Sequence, residues 1–176
     1  MEAEVNEAYA VTLSTIGHDG FPSSRVIYLR GIQEEGLVFY TNYQSLKGSE
    51  LAVEDKAVMN YFWPELHKQV KVKGVVSKVD AEVSEAYFAS RPRGSQLGAW
   101  ASQQSQELES REVLENRIQE LEKEYEGRDI PRPPHWGGYI LKPVEWEFWK
   151  GRSSRLHDRF KYSQEGNGWI VQRLNP

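Results

Sequence analysis

The chain has no cysteine, which excludes a disulfide framework and thiolate metal sites and leaves the redox compartment open. No stretch approaches the ~20 apolar residues of a membrane-spanning helix. The opening Met1–Ala8 is polar and acidic, unlike a signal or transit peptide. G-x-G-x-x-G and P-loop patterns are missing, which argues against a Rossmann or P-loop nucleotide site. Histidine is scarce: His18, His67 and His135 are isolated, lack metal-ligand spacing and support no Ser-His-Asp arrangement. Positive charge is not in surplus either. Lys and Arg number 22 against 26 Asp and Glu, a net charge of −4, without the basic footprint of a nucleic-acid binder. The expectation is a cytoplasmic protein without metal, membrane or nucleic-acid partners, an organelle after processing staying open.

What is present fits one domain of 176 residues. Hydrophobic residues make up only 39%, which suits a domain partly covered by a partner subunit or a monomer with a large solvated helix. Strand-like runs fall at residues 9–16, 23–30, 37–41, 57–63 and 69–79, then at 138–141, 144–149, 157–162 and 168–174. Between Val70 and Ser77, Val70, Val72 and Val76 alternate with Lys71, Lys73 and Ser77, giving one buried and one wet face. His18-Asp19-Gly20, Glu34-Glu35-Gly36 and Gly166-Asn167-Gly168 read as turns. Helices are expected at 45–53 and 82–90, and a solvated amphipathic one packed on the sheet at 107–125. Short hairpin connections argue for a mainly β, α+β fold: a mostly antiparallel barrel with helices attached.

Three segments could carry chemistry. In Arg155–Phe160 (RLHDRF), an extended backbone would place Arg155, His157 and Arg159 on one face. Such a cationic face would suit an electron-rich ligand; ion pairing with Asp158 and nearby Glu residues is the plainer reading. In Tyr87–Trp100, Arg91, Arg93, Gly94 and Ser95 could cradle a phosphate, or form an ordinary polar loop. Arg25 and Arg30, with Tyr40, Thr41, Ser45 and Lys47 following, give a weaker hint of a bound anion. Tryptophans such as Trp136, Trp146, Trp149 and Trp169 read mostly as core or interface.

Taken in order, SSRVIYLRG (23–31), VFYTNYQSLKG (38–48), KQVKVKG (68–74), YFASRPRGSQLGAWAS (87–102), Gln104-Ser105, WGGY (136–139), EFWKG (147–151) and RLHDRF (155–160) resemble the pyridoxamine 5′-phosphate oxidase family. The closing Arg173-Leu174-Asn175-Pro176 is similar to that family's usual terminus. The resemblance implies a dimeric split β-barrel binding FMN at the subunit interface. It further implies oxidation of pyridoxamine or pyridoxine 5′-phosphate to pyridoxal 5′-phosphate, with oxygen reoxidising the flavin to give hydrogen peroxide. On matched positions, Arg25, Val26, Ile27, Tyr28, Leu29 and Arg30 would hold FMN, with Tyr40, Thr41, Lys47 and Gln69. Gln104, Ser105, Trp149 and Arg159 would complete that site from the other subunit. Arg30, Tyr87, Arg91 and Ser95 would take the substrate phosphate, and Arg155 and His157 would face the pyridine ring as the catalytic pair.

Three departures accompany the resemblance. Arg30 stands where the family usually has Lys, and Leu46 where a cation is usual. The family's N-terminal segment that folds over the substrate is expected to be absent, with weaker substrate binding as the consequence. Two other functions fit the same pattern: a related flavin oxidase of the phenazine-pathway type, and a non-catalytic split-barrel binder of FMN, heme or pyridoxal phosphate.

Overall fold

The computed structural model describes residues 7–176, so most of the acidic opening lies outside the described residues. Nine strands form one sheet, antiparallel at every pairing. They are β1 (Ala10–Ile16), β2 (Pro22–Tyr28), β3 (Gly31–Gln33), β4 (Gly36–Asn42), β5 (Lys56–Trp63), β6 (Lys68–Lys78), β7 (Trp136–Lys150), β8 (Asp158–Glu165) and β9 (Gly168–Arg173). The main path runs β2-β1-β5-β6-β7-β4-β3. Its two ends, β2 and β3, are joined in the chain by only Leu29 and Arg30. Leu29 N–H donates to the Tyr9 carbonyl and Arg30 N–H to that of Val38. A sheet whose opposite edges are two residues apart must curl, and this one closes towards a barrel.

Alternation sets the core. In β6, Val72, Gly74 and Val76 face inward while Lys73, Val75 and Ser77 face out, the period of two that the sequence shows. Val11, Leu13, Phe39, Met59 and Leu141 join Val72 and Val76 in the barrel interior. Each such side chain contributes about 1.5–3 kcal/mol by leaving water.

The two expected strands 138–141 and 144–149 are one strand of 15 residues. Pro143 misled the reading because a proline cannot donate to a ladder. The sheet accommodates it at a bulge: Lys73 pairs with Glu145 and Gly74 with Pro143, leaving Val144 extra. Around this bulge β7 changes partners. Its first half pairs with β4 and its second half, from Glu145, with β8. The barrel therefore splits there, and β8–β9 project as a hairpin arm.

Among the described residues four α-helices accompany this sheet: α1 (Leu46–Val53), α2 (Ala81–Ser90), α3 (Arg93–Ala101) and α4 (Arg111–Glu124). Ser45 caps α1, its Oγ accepting from the Gly48 N–H. The sequence reading places no helix at 93–101, taking Arg91, Arg93, Gly94 and Ser95 as a phosphate cradle or an ordinary polar loop. Pro92 instead sits at the helix N-cap, where it needs no N–H partner. Helix α4 also differs from expectation. Its Leu121 packs with Phe88 of α2, Leu97 of α3, Ile130 and Trp136 in a second core, so α4 lies on the other helices more than on the sheet.

Candidate functional site

A cavity of about 790 Å³ opens between β2, the end of β4, and the starts and ends of α1, α2 and α3. Its walls bring together residues far apart in sequence: Arg25, Val26, Ile27, Tyr28 and Arg30 from the first edge, Tyr40, Thr41 and Lys47 from the middle, and Tyr87, Arg91, Ser95, Gln104 and Ser105 from the helical side. Arg25, Arg30, Lys47 and Arg91 give it four cations, and no carboxylate lines it among the described residues.

The cations fall into two pairs. Lys47 is 8% exposed, and its Nζ donates to Gln104 Oε1 at 3.1 Å and to Thr41 Oγ1 and Ser45 Oγ at 3.3 Å. All three acceptors are neutral. Burial lowers the Lys47 pKa and Arg25 lowers it further, while the buried carboxylate of Glu50 opposes them. At the other pair, Arg91 lies 4.5 Å over the Trp136 ring, and its Nη1 is buried without a hydrogen-bond partner. Burial lowers its pKa; Tyr87 opposes this and Arg30 adds to it. Tyr40 and Tyr87 stack at 3.8 Å, and Trp136 continues the stack 5.6 Å from Tyr40. A buried ammonium with neutral acceptors and a buried guanidinium nitrogen with none are unfinished without an anion.

Leu29, within the expected cofactor run, does not line the cavity, and its side chain belongs to the barrel core at 4% exposure. Gln104 and Ser105, expected from a second subunit, line the cavity of their own chain. Gln104 accepts hydrogen bonds there from Thr41 and Lys47 because the loop after α3 turns back at Ser105, which has a φ of 72°.

The remaining expected residues form a separate group. Gln69 and Trp149 pair across β6 and β7 and line another cavity with Phe160. Trp149 pairs in turn with Arg159 of β8, and its ring lies 4.7 Å from that of His157. None of Gln69, Trp149, Arg155, His157 and Arg159 lines the first cavity.

The extended geometry expected for Arg155–Arg159 is not found. Ser153–Arg155 is a 3-10 turn in which Ser154 and Arg155 have φ of 55° and 61°, and β8 begins only at Asp158. Alternation therefore does not align Arg155 with His157 and Arg159. Asp158 pairs with Arg152 and Arg173, and Arg159 with buried Glu147 at 2.7 Å, the plainer reading of these charges within one chain. Arg155 has no ion-pair partner among the described residues. The Arg152 N–H donates to His157 Nδ1 at 3.1 Å, so a neutral His157 ring carries its proton on Nε2.

Sequence reasoning missed Ser23, Asn42, Gly98, Ala99 and Ser102, which also line the cavity. Ser95, Gly98, Ala99 and Ser102 follow helical spacing, a pattern visible only once α3 is known to be a helix.

Residues 1–125 match the family described as pyridoxamine 5′-phosphate oxidase, and residues 136–176 match the pyridoxine 5′-phosphate oxidase C-terminal dimerisation region. The chain belongs to the pyridoxamine 5′-phosphate oxidase family. Proteins of this family are FMN-binding oxidoreductases with a split-barrel dimer. The pyridoxine/pyridoxamine 5′-phosphate oxidase of Gloeothece citriformis is 51% identical over 100% of this chain and 83% of its own length. The protein of that name from Rubrobacter xylanophilus is 51% identical over 100% and 81%. Among solved structures, PhzG from Burkholderia lata, in complex with tetrahydrophenazine-1-carboxylic acid, is 36% identical with a TM-score of 0.92, over 98% of this chain and 84% of that one. An FMN-binding protein from Nostoc punctiforme shares the fold at 18% identity and a TM-score of 0.76.

Proposed function

We propose that the chain oxidises pyridoxamine 5′-phosphate or pyridoxine 5′-phosphate to pyridoxal 5′-phosphate with FMN as cofactor. The observation that carries this reading is one cavity holding two cation pairs and no carboxylate. Two phosphorylated ligands, one per pair, account for it. Arg25 and Lys47, with Thr41, hold the cofactor phosphate, and Arg30, Arg91, Tyr87 and Ser95 hold that of the substrate. FMN held there would supply the acceptor for a hydride from the substrate's 4′ carbon, with oxygen as the final oxidant and hydrogen peroxide as its product. The alcohol goes directly to the aldehyde. The amine goes through an imine that water hydrolyses, releasing ammonia.

Gln69, Trp149, Arg159, Arg155 and His157 then serve the cavity of a second protomer, since they are set apart from their own. Matching of β7–β9 to a dimerisation region supports this. There, Arg155 supplies fixed positive charge against the pyridine hydroxyl, and His157 offers its Nε2 proton to the same ring.

A second reading has one observation behind it. PhzG, close in fold, holds a tricyclic carboxylic acid, and the Arg30–Arg91 pair could take a carboxylate as well as a phosphate. The test is to load the protein with FMN, add pyridoxamine 5′-phosphate without oxygen and watch the flavin absorbance. Bleaching, followed in air by stoichiometric aldehyde and peroxide, is expected. Bleaching only by a dihydrophenazine-type acid would favour the second reading, and a flavin spectrum that no substrate changes would leave a binder.

A further inference from the structure

Helix α1 buries Lys47, Gly48, Glu50 and Leu51. Lys47 reaches the cavity; Glu50, nearly a turn later, does not line it. The Glu50 side chain is 2% exposed, yet it carries a carboxylate. Its Oε2 accepts from Thr15 Oγ1 at 2.5 Å and from Arg25 Nη2 at 2.9 Å. Arg25 also donates through Nη1 to Thr15 Oγ1 and through Nη2 to Ser23 Oγ. Three of the five guanidinium N–H groups are thus committed to acceptors within the chain. Nε–H and one Nη1–H have no partner among the described residues.

We infer that Glu50 is a positioning residue: through Thr15 and Arg25 it fixes the guanidinium so that its two uncommitted N–H groups meet the cofactor's phosphate. The inference rests on the assignment of Arg25 and Lys47 to that phosphate. Two effects of Glu50 oppose each other. Its negative charge repels a phosphate, but it anchors a long side chain that would otherwise lose its orientation and would repel Lys47 across the cavity wall. A carboxylate kept buried beside an anion site is expected only where orientation outweighs repulsion. Burial pushes the Glu50 pKa up, but hydrogen bonds from Thr15, Arg25 and Ser23, with the Arg25 charge, outweigh it and hold the carboxyl below its ordinary range. Glu50 is therefore ionised throughout the neutral range.

The test compares two flavins that differ only in the phosphate. FMN and riboflavin are titrated into apoprotein of the wild type and of Glu50→Gln, following flavin fluorescence, with thermal unfolding of each apoprotein as a check on folding. Glu50→Gln is expected to weaken FMN on the order of tenfold and to leave riboflavin unchanged. A merely structural role would weaken both flavins alike, and equal or tighter FMN binding by Glu50→Gln would overturn the inference. Should Glu50→Gln fail to fold, Thr15→Val removes the hydroxyl that bridges Glu50 to Arg25 Nη1 while leaving their direct ion pair, and a smaller loss of the same selectivity for FMN is expected. Wild-type protein that did not prefer FMN over riboflavin would instead sink the assignment of Arg25 and Lys47.

Discussion

Arg155 shows how far a single residue can be read. Its exposure, and its lack of an ion-pair partner among the described residues, are explained if its target lies on another protomer. Arg155→Ala should keep the flavin spectrum and lose about 10–100-fold in kcat/KM, measured with FMN-saturated protein. Unchanged kinetics would remove Arg155 from the mechanism. Its importance was legible from the family-like RLHDRF segment, but its geometry was not, because alternation cannot foresee two consecutive left-handed residues at Ser154 and Arg155. Glu50 was less legible still. A glutamate in a short amphipathic helix reads as solvated, and only Thr15 and Arg25, distant in sequence, make it a buried anchor.

At the scale of elements, the strands were legible where alternation is strict, as in β6. They were misread where a bulge absorbs a proline in β7. Helix α3 was hidden by its glycines, whose helix propensity is poor. At Gly98 nothing lies within reach of an added Cβ, and the position opens towards the cavity. Gly98→Ala should raise stability by about 0.5–1 kcal/mol through helix propensity, read from urea unfolding. Gly98→Leu should stay folded but bind FMN or substrate less well, because its side chain occupies the cavity. Loss of stability in Gly98→Ala would mean that the backbone there is not relaxed helix.

For the whole molecule, composition left a partner-covered domain and a monomer with a large solvated helix both open, and large apolar side chains are exposed: Phe21, Ile32, Trp169 and Val171 are 73%, 76%, 44% and 52% accessible in one chain. Composition does not say where a partner would sit; the match of β7–β9 to a dimerisation region does. Two buried carboxylates also give the molecule its acid limit. Burial raises the Glu147 pKa, but hydrogen bonds from Lys71 and Arg159 and their charges hold it low, as Thr15 and Arg25 do for Glu50. Groups with depressed folded pKa values stabilise fully above the ordinary glutamate value of about 4.3 and lose that contribution as pH falls below it. Urea midpoints should therefore be flat from neutral pH down to that value and drop beneath it, less steeply in Glu50→Gln/Glu147→Gln. A midpoint that fell already between neutrality and pH ~5 would point to other groups.

The separation of Arg91 from Arg155 within one chain has a genetic corollary. If each site draws on two protomers, a product defective at Arg91 and another defective at Arg155 are not equally useless in company. A heterodimer of the two pools both defects in one site and leaves the other whole, regaining about half a dimer's capacity. Two alleles that each fail alone would complement one another in a cell that carries both.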